Sequence, residues 1–260
     1  MSRDELAPVP AKPSATIVML RKSSSCPELL LVRRRAGDAF GDSYAFPGGV
    51  VDDDEPAAHA FSRGITADEA NTLLNISQGA LDYYTAAIRE LFEETGILLV
   101  RDSAGDWVCG SPELRALRRN VDQGVLSWSD FLRQQGLNMA SDALHYFAHW
   151  ETPLNLPKRW STRFFLAELP SGQVATHDGS EVTDSRWIPA AEALSLGRDG
   201  GMTLPYPTVK TLESLAKFTT LGEMLDWAKD RASHVIEKIL PERVMSDGRS
   251  KYVIPGDSDI

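Results

Sequence analysis

Residues 45–56 read AFPGGVVDDDEP, and residues 86–96 read AAIRELFEETG. The first stretch ends an apolar segment on two glycines and then carries four consecutive acids. The second sits in the clearest helical pattern of the chain. Tyr84, Ala87, Ile88, Leu91 and Phe92 recur at helical spacing, so a helix is expected from Tyr84 to Thr95, with Gly96 as its stop. On it Glu90, Glu93 and Glu94 share an arc of about 100°, roughly opposite the apolar stripe. Like charges at this spacing repel, and Arg89, which can pair with Glu93, does not neutralise three acids. Crowded carboxylates suit a hard cation such as Mg²⁺ or Mn²⁺, while the plainer reading is a solvated acidic face. The Pro47-Gly48-Gly49 punctuation is expected to force a loop whose backbone can approach a ligand closely.

Outward from these stretches, ATIVML and ELLLVRR read as two strands separated by the polar turn RKSSSCP. Thr66 to Glu69 form a capping box, so a short helix is expected to begin there. ILLV after Gly96 reads as a strand. Ser111-Pro112 and the SWSDFLRQQG segment each signal a helix. LHYFAHW and TRFFLAEL read as aromatic-rich strands joined by a proline-bearing loop, and EVTDSRWIP as one more. Pro189 opens a helix, and the chain to about residue 240 reads mostly helical. The expectation is an α/β fold with a mixed sheet and helical insertions. Residues 1–13 are expected to be a flexible lead-in, 14–240 one domain, and 241–260 a loose tail. Within the domain, 56–81 and 108–140 are read as insertions and 189–240 as C-terminal helices.

From Gly49, five residues lead to Glu55, and Arg89-Glu90-Leu91-Phe92-Glu93-Glu94-Thr95-Gly96-Ile97 follows. This pattern resembles the box of the Nudix hydrolase family, G-x5-E-x7-R-E-U-x-E-E-x-G-U, where U is aliphatic. Every specified position is present. The departure is that 33 residues separate Glu55 from Arg89 where the box has seven, an insertion of 26. The capped helix at 66–76 lies within it and can loop out at modest closure cost.

The resemblance implies a Nudix-type α/β/α sandwich that hydrolyses a diphosphate with Mg²⁺ or Mn²⁺. It implies metal ligation by Gly49 (through its carbonyl), Glu55, Glu90, Glu93 and Glu94. Arg89 would orient the carboxylates, and Glu90 would act as a ligand or as the base. Glu181 is the candidate for an additional catalytic acid, with a solvent-facing turn acid as the alternative. The split box, the TP and RFF stretches and the helical C-terminal part look like the branch related to peroxisomal acyl-CoA diphosphatases. The substrate expected is therefore CoA or acyl-CoA, cleaved to 3′,5′-ADP and 4′-phosphopantetheine derivatives. A CoA-directed pattern, R-x3-G-x3 before FPGG, fails in spacing, because four residues follow Gly41 and no arginine stands four before it. Of the run Arg33-Arg34-Arg35, Arg33 and Arg35 are taken with Trp160 as substrate-binding candidates. The alternatives are another nucleoside diphosphate derivative or a non-catalytic nucleotide sensor. Retention of Glu90, Glu93 and Glu94 speaks for the enzyme.

The chain has 260 residues, 42% hydrophobic and 25% charged, enough for a sizeable core. A net charge of −10 argues against a nucleic-acid surface. Cys26 and Cys109 have no metal-ligand spacing and fit a reducing compartment. His145, His149 and His177 receive no role. No run is long enough to span a membrane, and the N-terminal stretch lacks the apolar core of a signal peptide. A cytoplasmic location follows as the default, with a small-molecule diphosphate as partner, no nucleic acid and no membrane, and a homodimer left open.

Overall fold

The computed structural model describes residues 8–35, 41–177, 181–246 and 249–255. In chain order, β1 (Lys12–Arg21), β2 (Glu28–Arg34), β3 (Tyr44–Ala45) and β4 (Gly48–Val50) lead to a 3-10 helix at Glu55–Phe61. Next come β5 (Ser62–Arg63), α1 (Ala67–Leu74), α2 (Ala80–Thr95) and β6 (Val100–Arg101). Then follow α3 (Pro112–Asp122), α4 (Trp128–Gln135), β7 (Asn138–Ala140), β8 (His145–Glu151), β9 (Trp160–Glu168) and β10 (Val182–Ile188). The C-terminal part holds α5 (Ala190–Arg198), α6 (Tyr206–Leu215), α7 (Leu221–Ala232), β11 (Lys238–Ile239) and the hairpin β12 (Glu242–Ser246) and β13 (Arg249–Val253).

The main sheet runs β10-β2-β1-β9-β8-β11, with β3 on β2 and β4 on β1. It is mixed, since β1 and β9 pair in parallel while β8 and β9 are antiparallel. Ile17, Met19 and Phe165 face the layer containing α2, whereas Val18, Leu20 and Phe164 face the layer containing α6 and α7. Both parities of β1 are therefore apolar, as a strand covered on two faces requires. The α/β sandwich expected from the sequence is the architecture observed. Among the described residues no helix is long and apolar enough to cross a membrane.

Several local expectations are corrected. The FPGG stretch is not wholly a loop, because Gly48, Gly49 and Val50 pair with Thr16, Ala15 and Ser14. Glycine is what permits this pairing: a Cβ on Gly48 would lie 2.2 Å from the Ala15 carbonyl oxygen. Of ILLV, only Val100 joins a strand. Leu98 N–H donates instead to Gln173 Oε1 at 2.9 Å, so a side chain takes the place of a sheet neighbour. Helix α2 starts at Ala80, four residues before Tyr84. β1 begins at Lys12, inside the expected lead-in. The expected loose tail contains the β12–β13 hairpin. The insertion does not loop out either. Its Ala58, Ala70 and Leu74 are buried in the core that covers α2, and β5 pairs with β7. The Thr66 capping box is formed, with Glu69 N–H donating to Thr66 Oγ1 at 3.2 Å and Thr66 N–H to Glu69 Oε2 at 2.8 Å.

Candidate active site

Helix α2 carries the acids because its apolar stripe is buried on the sheet and Gly96, at φ 71°, ends it in the left-handed conformation. The acidic face is not solvated: Arg89 and Glu94 are buried, and Glu90 and Glu93 nearly so. One guanidinium joins the two sequence stretches. Arg89 Nε and Nη2 donate to Glu55 Oε1 at 3.0 and 2.8 Å. Its Nη1 donates to Glu90 Oε1 at 3.0 Å and Glu93 Oε2 at 2.8 Å, and its Nη2 to the Val50 carbonyl at 3.0 Å. Asp52, a spacer position in the pattern, also approaches Arg89 Nη2 at 3.2 Å.

The fourth acid is held from the other side. Glu94 Oε2 accepts from Gly48 N–H at 3.1 Å, and its Oε1 lies 3.0 Å from Arg34 Nη2. Arg34 also donates to the Gly48 carbonyl. Gly49 completes the group: its carbonyl accepts from Ser14 Oγ at 2.7 Å, and a Cβ at Gly49 would lie 2.3 Å from Glu90 Oε1. β1 pairs with β2 at Leu20–Arg21 but with β4 at Ser14–Thr16, so the sheet forks at this point. Through that fork Glu90, from the helix on one face, reaches a cavity whose floor is the opposite face.

Burial sets the electrostatics. It pushes the Glu55 carboxyl up to about 7 and Glu93 up to about 8, in each case against the pull of Arg89. Burial also raises Glu90 and Glu94, against the charges of Arg89 and Arg34 on Glu90 and of Arg34 on Glu94. For Arg89, burial works against its charge, but Glu90, Glu55 and Glu93 together outweigh it and hold it above the ordinary arginine value. Four glutamates face two guanidinium groups, so the cluster lacks positive charge.

Beside it lies a cavity of about 510 Å³. Arg34, Gly48, Gly49, Glu90 and Glu181 form one end. The floor crosses β1 at Ser14 and Thr16, β9 at Thr162 and Phe164, and β8 at Trp150, with Thr152 just past its end. Trp160, Tyr206 and Tyr252 complete the far side. From β4 to β8 is three strand spacings, about 14 Å.

A family model described as the NUDT19 Nudix domain matches residues 57–215, more than half of the chain. The chain belongs to this family. Human acyl-coenzyme A diphosphatase NUDT19 is 29% identical over 184 residues, which is 66% of this chain and 48% of that protein. The match thus spans about half the length of the human relative. The Gallus gallus protein of the same name is 25% identical over 271 residues, covering 88% of this chain and 72% of that one. The crystal structure of a NUDIX hydrolase from Alicyclobacillus acidocaldarius superposes with a TM-score of 0.69 at 25% identity, over 87% of this chain and 97% of that one.

Nudix hydrolases generally use divalent metals, and the donors here fit one. Glu94 Oε1 is buried and carries the Arg34 ion pair, the Gly49 backbone lies against Glu90, and the cluster is short of positive charge. All donors are oxygens, the type hard cations take. Among the described residues no three acids, thiols or imidazoles converge as a preformed chelate, and Arg34 and Arg89 occupy the acids instead.

Of the residues singled out in the sequence, Gly49, Glu90, Glu181 and Trp160 line the cavity, whereas Glu55, Glu93 and Glu94 stand behind its surface. Glu181 is exposed at the entry to β10, and its charge is one of those that raise Glu94. The arginine run divides by strand parity. Arg34 points into the cavity, Arg33 pairs with Asp42 through Nε at 3.1 Å, and Arg35 is exposed and absent from the wall. Sequence reasoning missed Trp150, Tyr206 and Tyr252. Strand alternation on β2 is the signal that selects Arg34.

Proposed function

We propose that the chain is a divalent-cation-dependent diphosphatase that hydrolyses CoA or acyl-CoA to 3′,5′-ADP and 4′-phosphopantetheine or its acyl derivative. The observation that carries this reading is the adjacency of the box acids to a large cavity with Trp150, Trp160, Tyr206 and Tyr252 on its far side and Glu90 on its wall. The names of the human and chicken relatives support the choice of substrate.

Glu93, Glu94, Glu90 and the Gly49 carbonyl would hold the cation, with Glu55 as a further ligand or support. Once bound, the cation supplies charge neutralisation for the diphosphate and polarises the phosphoryl group under attack. The protein's own contribution is positional. Arg89 fixes three carboxylates with one rigid fork, which a lysine cannot do. Glu90, on the cavity surface, is placed to take a proton from the attacking water as the water oxygen bonds to phosphorus and the bridging P–O bond breaks. Glu181, on the same wall, is the second acid within reach of the reacting group. The free Cys26 and Cys109 fit a reducing, cytoplasmic compartment.

The test is turnover of CoA, acyl-CoA, NADH, ADP-ribose and nucleoside triphosphates with Mg²⁺ or Mn²⁺, with products read by mass spectrometry. Release of 3′,5′-ADP from CoA or acyl-CoA in preference to cleavage of the others is expected. Preferred cleavage of NADH, ADP-ribose or a triphosphate overturns the substrate, and cleavage of none overturns the enzyme.

A further inference from the structure

We propose that the aromatic part of the cavity is the subsite for the pantetheine arm and its acyl chain, and that the C-terminal hairpin supplies its outer wall. This rests on the CoA reading above and assigns one arm of that substrate to a place. The two arms flanking the diphosphate differ sharply in chemistry. One is a nucleoside carrying an additional, dianionic phosphate. The other is long, flexible and uncharged, with two amides and a thiol or thioester end.

The walls discriminate between them. Among the described residues lining the cavity, Arg34 is the one cation, and it is engaged with Glu94 and the Gly48 carbonyl at the diphosphate end. The far end carries Glu151 instead, held by Arg159 at 2.6 Å and Lys238 at 2.9 Å. A dianionic phosphate placed there would leave water to meet a carboxylate, with both nearby cations already paired. An uncharged arm meets no such penalty and buries apolar surface. Thr152, Thr162 and Thr208 supply hydroxyls to its amides.

The aromatic geometry makes the same choice. Trp150 and Tyr206 meet edge to face, with centroids 6.0 Å apart and planes at 88°. Tyr252 leans on Tyr206 at 6.4 Å and 46°. This is a corner rather than a parallel slot, so it suits a bending aliphatic chain better than a flat base sandwiched between rings. Pro241 and Tyr252 reach the wall from the C-terminal segment, which lies beyond the residues shared with the family model. The chain subsite thus draws its wall from residues on both sides of position 215.

The experiment compares the full chain with Tyr252→Ala, Tyr252→Phe and Leu156→Arg, the last placing a charge on the loop side of the same wall. Two ratios of kcat/KM are read: octanoyl-CoA over acetyl-CoA, and CoA over dephospho-CoA. Tyr252→Ala and Leu156→Arg are expected to lower the first ratio by about 5- to 10-fold and leave the second within about twofold. Tyr252→Phe, which keeps the ring, should lower the first ratio less than Tyr252→Ala does. A change in the second ratio with the first unmoved assigns the cavity to the nucleotide arm and overturns the proposal, as does no change in either. Calorimetric binding of octanoyl-pantetheine separates the two levels of inference. If wild type turns over no CoA, the diphosphatase reading fails, whereas the subsite stands or falls on whether that probe binds wild type more tightly than Tyr252→Ala.

Discussion

At the charged end of the cavity a single guanidinium, Arg89, gathers Glu55, Glu90 and Glu93 from two stretches of chain and locks them at hydrogen-bonding distance. At the aromatic end Trp150, Tyr206 and Tyr252 come from a strand, a helix start and a hairpin, and meet through ring faces and edges. The first arrangement is directional and fails when one partner is removed, because buried charges are left unpaired. The second is non-directional and tolerates exchange of one ring for another of similar size. Chemistry is assigned to the rigid end and selectivity to the adaptable one.

The division is testable, and Arg89→Met probes it hardest. Removing the guanidinium leaves Glu55 and its neighbours buried together, and a loss of about 3–5 kcal/mol in unfolding free energy is expected by denaturant titration. A loss below 1 kcal/mol, on the same order as an exposed pair, would show that the charged end is not a locked unit. Glu94→Gln keeps an acceptor for Gly48 N–H and removes a charge. We expect a fall in kcat of at least about 100-fold, loss of the Mn²⁺-induced rise in Tm, and an intact fold by circular dichroism. Near wild-type turnover by the folded variant would remove Glu94 from the chemistry.

Strand β8 offers a sharper contrast, since Trp150 faces the cavity and the neighbouring residue His149 does not. Burial, with help from Arg163 and Lys238, pushes His149 down to about 3, and its Nε2 lies 2.8 Å from Ser161 Oγ. The folded state therefore holds His149 neutral while the unfolded chain protonates near 6.5. Its contribution to stability is present above about pH 6.5 and is lost as the pH falls toward 3. His149→Gln should flatten this acid limb by on the order of 2 kcal/mol without moving KM at neutral pH, and a shifted KM would show that the two sheet faces are coupled. The smallest effect is expected for Trp160→Phe, about a twofold rise in KM with kcat unchanged. A fall in kcat there would erase the distinction between the two ends.

The charged end was legible in the sequence because its residues obey fixed spacings: Gly49 to Glu55, then Arg89 to Ile97 on a helix whose apolar stripe and stop glycine are both local signals. The aromatic end was not, since Trp150, Tyr206 and Tyr252 are brought together by sheet order and no spacing relates them. Gly48 and Gly49 were read as breakers because propensity reports the isolated backbone. In the fold they are the residues small enough to pair with β1. Arg34 was hidden among three consecutive arginines, and only strand parity separates it from Arg33 and Arg35. Asp247-Gly248 is a turn-type dipeptide in the sequence between the segments that form β12 and β13, but Val244, Tyr252 and Val253 are the strongly β-prone residues of those two segments. The split of the box misled in one respect. Modest loop-closure cost allows an insertion to hang free, but Ala70 and Leu74 give it an apolar side to bury.

The parallel pairing of β1 with β9, from Lys12 opposite Trp160 to Leu20 opposite Glu168, also has a consequence in time. Every residue of the split box has been synthesised by Ile97, yet the central strand waits for a partner that leaves the ribosome roughly 7–30 s after it, at about 5–20 residues per second. During that interval Ile17 to Leu20 is an apolar strand with one edge open, the kind of segment that nascent-chain chaperones hold. A polypeptide released before Trp160 would contain Glu55, Glu90, Glu93 and Glu94 but neither Glu181 nor β9, the middle strand of the floor on which a substrate would lie.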